Sequence, residues 1–577
     1  MKLKKNTTCL QLPACREEMR ERRWENVDVV LVSGDAYIDH PSFGTALISR
    51  WLEAHGFRVA ILAQPRHDSA DDFLQFGRPR LFFGISAGNM DSIVSNYTGY
   101  ARVRSRDVYS PEGNPYFGAE KTRTCRRRPD RATIRYAHLA RQAYRDVPIV
   151  LGGIEASLRR FVHYDYQQEK LRASVLTDAK ADLLVYGMGE RAVLEIAGRL
   201  ARGAGLAGIP GTCERLSETR FAARQLETSP LTLPSWDSIH ANRERFLDAE
   251  LALDAHARSF SMSPVVQKQQ SMWVLQNRPA GPLTRDEFDR IGLLPFTRRP
   301  HPSAGDVPAY RMVRHSINIV RGCFGNCSFC AIARHQGPVI VSKSPGAVVK
   351  EAGMVAEMPD FRGTITDLGG PTANMYGAGC RLSVRCRRHD CLFPRVCRHL
   401  DVDDSLYDLI LRVERITGVR RVFISSGLRM ELLLGKPRLL QRLLQKNISG
   451  SMKIAPEHTE SFVLHLMHKS GYEVLRRFLE EAGKISRKAG MKPRFTPYFI
   501  SAHPGCSMDH MKKMAGKIKN LGLYAGRLQD FTPTPGTVST AMYVTGLHRD
   551  TREPIQVART RRARRAQRRI LEGLMRG

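Results

Sequence analysis

The sequence predicts an α/β chain built in two blocks: an open parallel sheet of doubly wound type, then a second run of strand–helix units. Three observations carry this. Continuous apolar runs, each followed by a glycine-containing loop, recur from Val27 onward, as strands buried on both faces require. The alternation of such runs with helical stretches returns from Met312. Between the blocks, residues 206–300 carry more Pro, Ser and charge, with weaker periodicity.

The elements follow in order. Residues 1–26 are polar and read as an N-terminal arm packed on the first domain. Residues 27–215 form the N-terminal α/β domain. Val29-Val30-Leu31-Val32 is its first strand, and the helix from Gly44 to His55 ends at Gly56, a residue suited to the left-handed C-cap. Val59–Leu62, Leu81–Ile85, Pro148–Leu151 and Leu183–Tyr186 are the following strands. In such sheets ligands collect beyond the carboxyl ends of the strands. Asp35, His40, the stretch from Gly152 to Arg160 and Gly187-Met188-Gly189-Glu190-Arg191 fall there. Residues 216–305 read as a linker or irregular region, with a helix from Glu244 to Ala257. The second block, 306–545, has strands at Ser316–Val320, Gly363–Leu368, Val422–Ser426, Met452–Ala455, Arg494–Ile500 and Ala525–Phe531. Helices such as Ser344 to Glu357 and Gly471 to Ala489 lie between them. Residues 546–577 form a basic tail.

The most informative stretch is Arg321-Gly322-Cys323-Phe324-Gly325-Asn326-Cys327-Ser328-Phe329-Cys330, a C-x3-C-x2-C loop after the first strand of the second block. Three thiolates hold three irons of a 4Fe-4S cluster and leave the fourth iron open to a small molecule. A structural zinc ion needs a fourth ligand. Gly322 and Gly325 let the backbone turn tightly and offer N–H groups to the sulfurs, and Phe329 places an aromatic ring near a bound nucleoside.

Composition bounds the rest. At 577 residues the chain is too long for one core. It has no apolar run long enough to span a membrane, and its basic N-terminus is followed by no signal-peptide core, so a cytoplasmic location is expected. Twelve cysteines there read as metal ligands or free thiols rather than disulfides. The formal net charge of +33 favours contact with nucleic acid or another polyanion, although Arg is spread along the whole chain.

The cysteine loop resembles the radical S-adenosylmethionine (radical SAM) signature. Asp367-Leu368-Gly369-Gly370-Pro371-Thr372-Ala373-Asn374-Met375-Tyr376, Gly34-Asp35-Ala36-Tyr37-Ile38-Asp39-His40-Pro41-Ser42-Phe43-Gly44, Gly152-Gly153-Ile154-Glu155-Ala156-Ser157-Leu158-Arg159-Arg160 and Gln529-Asp530-Phe531-Thr532-Pro533-Thr534-Pro535-Gly536-Thr537 are similar to motifs of the YgiQ-type radical SAM family. The resemblance implies that the second block is a partial (β/α)6-type barrel with its site at the carboxyl ends of the strands. It implies a 4Fe-4S cluster on Cys323, Cys327 and Cys330, and S-adenosyl-L-methionine as the ligand of the open iron. It implies reductive cleavage to methionine and a 5′-deoxyadenosyl radical that acts on an unknown substrate. A flavodoxin- or ferredoxin-like electron donor is expected. Gly369 and Gly370 take the family's role of contacting the methionine amino group. Ser426 and Arg429 suit ribose and carboxylate recognition, since Arg binds carboxylates in a fork. Asp367 orients this loop or caps its strand. Glu457, His458 and His503 are substrate-side polar groups or strand-end caps. The N-terminal domain resembles a cobalamin-binding domain. Its loop departs from the usual pattern, because Asp39 directly precedes His40 and Gly44 comes four residues after it. Without a cobalt ion to bind, His40 is a loop histidine bonded to backbone or substrate.

Three features stand outside this core. Cys380, Cys386, Cys391 and Cys397, in a Cys-rich insertion at 380–400, offer a possible second metal centre, zinc or iron–sulfur, beside Arg381, Arg385, Arg387, Arg388, Arg395 and Arg398. Cys9, Cys15, Cys125, Cys213 and Cys506 lack partners at ligand spacing. The run Arg559, Arg561, Arg562, Arg564, Arg565, Arg568, Arg569 reads as a basic amphipathic helix, solvated in the plain reading and a nucleic-acid contact in the sharper one. The alternative function is therefore a nucleic-acid-binding iron–sulfur protein with a structural or regulatory cluster.

Overall fold

The computed structural model describes residues 11–574 except Phe260, 383–385, 387–389 and Ala525. The apolar runs of the first block become β1 (Val29–Ser33), β2 (Val59–Ala63), β3 (Phe82–Ser86), β4 (Ile149–Leu151) and β5 (Leu183–Val185). They lie parallel in the order 2-1-3-4-5, with Val29 opposite both Val59 and Phe82. Helix α1 (Gly44–Ala54) and helix α2 (Glu190–Ala201) pack against one another. Gly56, at φ +89°, stops α1 as its sequence predicts. The arm is more ordered than its polarity implies. It contains a helix at Arg16–Glu21, buries Leu12 and Met19, and its Pro13 carbonyl accepts a bond from Ile61 N.

The region 216–305 is corrected most. Together with the preceding residues it extends the sheet by β6 (Thr212–Ser217), β7 (Leu231–Thr232), β8 (Val265–Gln269) and β9 (Met272–Gln276), giving nine strands in the order 7-8-9-6-5-4-3-1-2. β5–β6, β6–β9 and β8–β9 are antiparallel. Short strands broken by Pro and charge hide their period, and tertiary pairing supplies what local pattern does not. Helix α3 (Glu244–Arg258) crosses to the second block and buries Phe246 and Leu247 beside Met542 and Tyr543.

The second block holds β10 (Ser316–Asn318), β11 (Thr364–Ile365), β12 (Asp367–Gly369), β13 (Arg421–Val422), β14 (Met452–Glu457), β15 (Phe495–Ser501) and β16 (Arg527–Asp530). Neighbours pair parallel in chain order: Ser316 with Asp367, Thr364 with Arg421, Met452 with Phe495 and Tyr498 with Arg527. The bridge between Leu428 and Ile454 joins the two halves. The result is an open arc of parallel β/α units around a core of Ile317, Leu368, Val422, Met452 and Phe478. A short helix α4 (Ile332–Gln336) follows the cysteine loop.

The tail differs from the solvated helix expected of it. Helix α5 (Arg561–Glu572) buries Arg564, Gln567 and Leu571. Arg564 donates to the carbonyls of Gly99 and Phe531, Gln567 bonds Ala502 N and Cys506 O, and Arg568 pairs with Asp530 at 2.6 Å. Every third or fourth residue therefore faces the barrel, while Arg561, Arg562, Arg565 and Arg569 stay outside. No helix among the described residues is long and apolar enough to cross a membrane.

Candidate metal centre

The cysteine loop hangs between two short ladders. Val320–Arg321 pairs antiparallel with Val341–Ser342, and β10 pairs with β12. Cys323 N donates to Gly337 O at 3.2 Å and Gly322 N to Gln336 Oε1 at 3.1 Å, so the end of α4 folds back and closes the loop. Gly322 sits at φ +81°, and a Cβ there would stand 1.9 Å from Val339 O, which leaves room only for glycine. Cys330 N donates to Cys327 O at 3.0 Å, tightening the second half.

The sulfurs have partners. Gly325 N donates to Cys323 Sγ at 3.4 Å, and Arg429 Nη2 lies 3.3 Å from Cys327 Sγ and 3.9 Å from Cys323 Sγ. Burial opposes the Arg429 charge, but Cys327, Glu431 and Cys323 hold its pKa well above the ordinary value. Burial, and then the charges of Cys327 and Cys323, push the Cys330 thiol up to about 12. Three thiolates sharing one loop need cations to balance them, which Arg429 supplies in part and iron would complete.

Spacing tests which metal fits. Among the described residues, the ligand atoms of His465, His548 and Asp550 form the one His/Cys/Asp/Glu set lying within 4.8 Å of one another. There the His548 Nδ1 is already taken by Asp550 N and Thr551 N. Among the described residues, no three sulfurs of the loop or of the insertion lie mutually within that distance. A single tetrahedral ion with sulfur ligands needs sulfurs about 3.8 Å apart. The loop, with three cysteines and with an N–H donor and a guanidinium on its sulfurs, fits a polynuclear iron–sulfur group.

Asp367 organises the neighbouring strand ends. Its Oδ1 accepts Ser425 N at 2.8 Å and Ser426 N at 3.1 Å, its Oδ2 accepts Ser426 Oγ, and Ser426 Oγ accepts Gly370 N at 3.3 Å. Burial raises the Asp367 carboxyl, against these bonds. Asp367 thus joins the Gly369-Gly370 turn to the loop after β13. A Cβ on Gly369 would fall 2.2 Å from Asp367 Oδ2 and Ser426 Oγ, and one on Gly370 2.4 Å from Val320 O.

Other expected residues fall at varying distances from this centre. Phe329, half-buried, meets His503 edge-on at 6.4 Å. His503 spends both nitrogens, on Pro504 O at 2.8 Å and Ser539 Oγ at 2.7 Å, and burial lowers its pKa to about 4. His458 is likewise taken up by Glu460 N and Cys506 Sγ, with its pKa lowered by burial to about 3. Glu457 is different. It is 9% exposed, sits at φ +65°, and among the described residues its carboxylate accepts no hydrogen bond. Burial raises its pKa against the charges of Lys469 and Arg429.

In the first block, His40 is fully buried, with Nδ1 3.1 Å from Ser42 N and Nε2 3.2 Å from Arg298 Nη1. Asp35 pairs with Arg128, and burial raises its pKa to about 6. The insertion gathers its cysteines loosely. Cys397 N donates to Cys391 O at 2.8 Å, Cys380 is exposed, and burial followed by the charges of Cys397, Asp390, Cys380 and Cys386 pushes Cys391 up to about 11. Arg381 pairs with Asp401 at 2.7 Å, whereas Arg385, Arg387 and Arg388 lie outside the described residues.

Sequence reasoning missed the support behind the loop. Arg549 Nη1 donates to Ser328 Oγ at 2.6 Å, Arg258 Nη1 to Gly325 O at 3.3 Å, and Asn326 Nδ2 to Asp254 Oδ2 at 3.3 Å. Asp254 and Arg258, one turn apart on α3, carried the only signal, an i,i+4 charged pair in a region of weak periodicity.

Comparison with known proteins adds the following. A family model described as Radical SAM N-terminal matches residues 11–316. The UPF0313 protein of Geobacter sulfurreducens is 46% identical over 97% of this chain and 92% of its own length. That of Thermotoga neapolitana is 43% identical over 96% and 97%, and that of Methanocella arvoryzae 41% over 96% and 92%. Among solved structures, the radical S-adenosylmethionine methyltransferase TsrM from Kitasatospora setae, with tryptophan and a SAM analog bound, has a TM-score of 0.49 at 15% identity. It covers 88% of this chain and 74% of its own. The cobalamin-dependent S-adenosylmethionine radical enzyme OxsB gives 0.45 at 11%, covering 87% and 53%.

Proposed function

The chain belongs to the UPF0313 family and carries a Radical SAM N-terminal domain, and from that premise we propose that it is a radical SAM enzyme whose cluster is held by Cys323, Cys327 and Cys330. The observation that carries the reading is the loop itself: three cysteines in one short turn, their sulfurs met by Gly325 N–H and Arg429, beside the Gly-Gly turn that Asp367 fixes. Bound there, the cluster would supply one electron that splits S-adenosylmethionine into methionine and a 5′-deoxyadenosyl radical.

The chain's own residues bind and orient. Gly369 and Gly370 let the backbone approach the methionine moiety, with Ser426 held beside them by Asp367. Arg429 stands between the sulfurs and Glu431, 3.1 Å away, placed to meet a carboxylate at the open iron while tempering the charge of the thiolates. Phe329 gives the adenosyl group an apolar edge. Glu457, without a partner among the described residues, is the group left to bond substrate or ribose. A flavodoxin- or ferredoxin-like protein delivers the electron. The N-terminal sheet closes the barrel side from water.

Anaerobically reconstituted protein with reductant should release 5′-deoxyadenosine from S-adenosylmethionine, and Cys327→Ala should release none. Equal release by that variant would sink the assignment.

A second reading, nucleic-acid binding, is favoured by one feature. An open groove of about 740 Å³ is lined by Tyr164, Trp236, His240, Lys170, Arg243 and Arg559, with Glu169 and Asp178 also in its wall. Single-stranded RNA binding that weakens steeply with salt, without any cleavage of S-adenosylmethionine, would support it over the first.

A further inference from the structure

A second cavity, of about 430 Å³, opens at the carboxyl ends of β1, β3, β4 and β5. Its floor is apolar: Leu31, Phe82, Val150 and Val185 from the sheet, Ile48 from α1 and Val193 from α2. It runs as a slot along the sheet, walled by those two helices, at the place where the strand order reverses. Its far wall is the back of the cysteine loop, since Ile332, His335 and Gln336 of α4 line it.

Two acceptors, Glu190 and His335, line it. Glu190 is 2% exposed; its Oε1 takes Arg321 Nη1 at 2.6 Å, but its Oε2 is buried with no hydrogen-bond partner. The tautomer of His335 follows from Ser157. The Ser157 hydroxyl donates to Gly153 O at 2.9 Å and accepts Gly187 N at 3.0 Å. Its one proton is used, so the 3.0 Å contact with His335 Nδ1 is donated by the imidazole. His335 Nε2 is then a bare lone pair, and among the described residues it has no partner. Burial lowers the pKa of this ring to about 4, so it is neutral at physiological pH. A buried acceptor without a donor is costly, and Glu190 Oε2 at a cavity that the half-buried His335 also lines calls for a ligand that brings N–H groups. The N-terminus of α1, at Gly44 and Thr45, lines the same mouth and favours an anion there.

We propose that this slot binds an adenine-type nucleotide, an aminated flat heterocycle whose ring lies on that apolar floor and whose amino group bonds Glu190 Oε2 and His335 Nε2. The occupant touches the wall that fixes Arg321, Gly322 and Cys323, so it presses on the cluster loop from behind. The adenine can come from a free nucleotide or from an adenosyl product of the chain's own reaction.

The test is equilibrium binding to the full chain without reductant, which keeps it independent of any cleavage activity. The probes are adenosine monophosphate, 5′-deoxyadenosine and hydroxocobalamin. One equivalent of adenosine monophosphate or of 5′-deoxyadenosine is expected, the tighter of the two naming the source. Ile48→Trp, which fills the slot, and His335→Phe, which keeps the ring shape without the acceptor, should each weaken binding about tenfold or more. Iron content and circular dichroism check that each variant is folded. Binding of neither adenine probe, binding of hydroxocobalamin alone, or undiminished binding by both folded variants overturns the proposal.

Discussion

Arg429 Nη2 lies 3.3 Å from Cys327 Sγ, across 102 residues of sequence. A buried guanidinium on thiolate sulfurs stabilises electron-rich sulfur and raises the potential at which a cluster accepts an electron. Arg429→Gln should leave iron bound but move the cluster midpoint on the order of 100 mV more negative. Redox titration followed by electron paramagnetic resonance checks this; an unmoved midpoint would show that the contact does not reach the cluster.

Asp367 ties two strand ends together through Ser425 and Ser426. Asp367→Ala should lower affinity for S-adenosylmethionine about tenfold or more, with iron content unchanged. Gly369→Ala should do the same, because its Cβ would fall 2.2 Å from Asp367 Oδ2. Calorimetric titration of the reconstituted protein reads both. Loss of iron alongside affinity would instead make the network a support of the cluster loop.

Glu457 sits at φ +65° with its carboxylate unbonded among the described residues. A non-glycine residue in that conformation costs on the order of 1 kcal/mol. Glu457→Gly should therefore hold or raise the thermal midpoint while lowering 5′-deoxyadenosine production about tenfold. A lower midpoint with full production would mark Glu457 as a structural residue.

Burial holds His458 at about 3, His468 at about 3 and His503 at about 4. Each is depressed below its unfolded value near 6.5. The unfolded chain therefore takes up protons first, so stability is full above about pH 6.5 and is lost progressively as pH falls toward 4. The thermal midpoint should drop between pH 7 and pH 5, and His503→Gln should flatten that dependence by up to about 1.4 kcal/mol per pH unit. A midpoint constant over this range would contradict the neutral, buried assignment.

The first sheet was legible because Val29–Val32 and Val59–Leu62 are unbroken apolar runs, a signal that needs no tertiary knowledge. The cysteine loop was legible because its spacing is local. What escaped depends on distance in sequence. β7 and β8 are read as strands only once β9 pairs beside them. The burial of Arg564 in α5 depends on the carbonyls of Gly99 and Phe531, and no feature of a run of arginines announces it. Arg429 was read as a carboxylate fork from its type alone, whereas its position against Cys327 requires the arc to close around the loop. His458 and His503 looked available at strand ends, and only the partners supplied by Cys506 and Ser539 show them engaged.

The central claim is that Cys323, Cys327 and Cys330 hold an iron–sulfur cluster. Iron and acid-labile sulfide per chain, measured after anaerobic reconstitution in a variant with Cys380, Cys386, Cys391 and Cys397 all changed to Ala, test it most directly. About four of each should remain, and Cys327→Ala added to that background should remove them. Iron that survives the added change, or a single zinc ion in its place, would contradict the account.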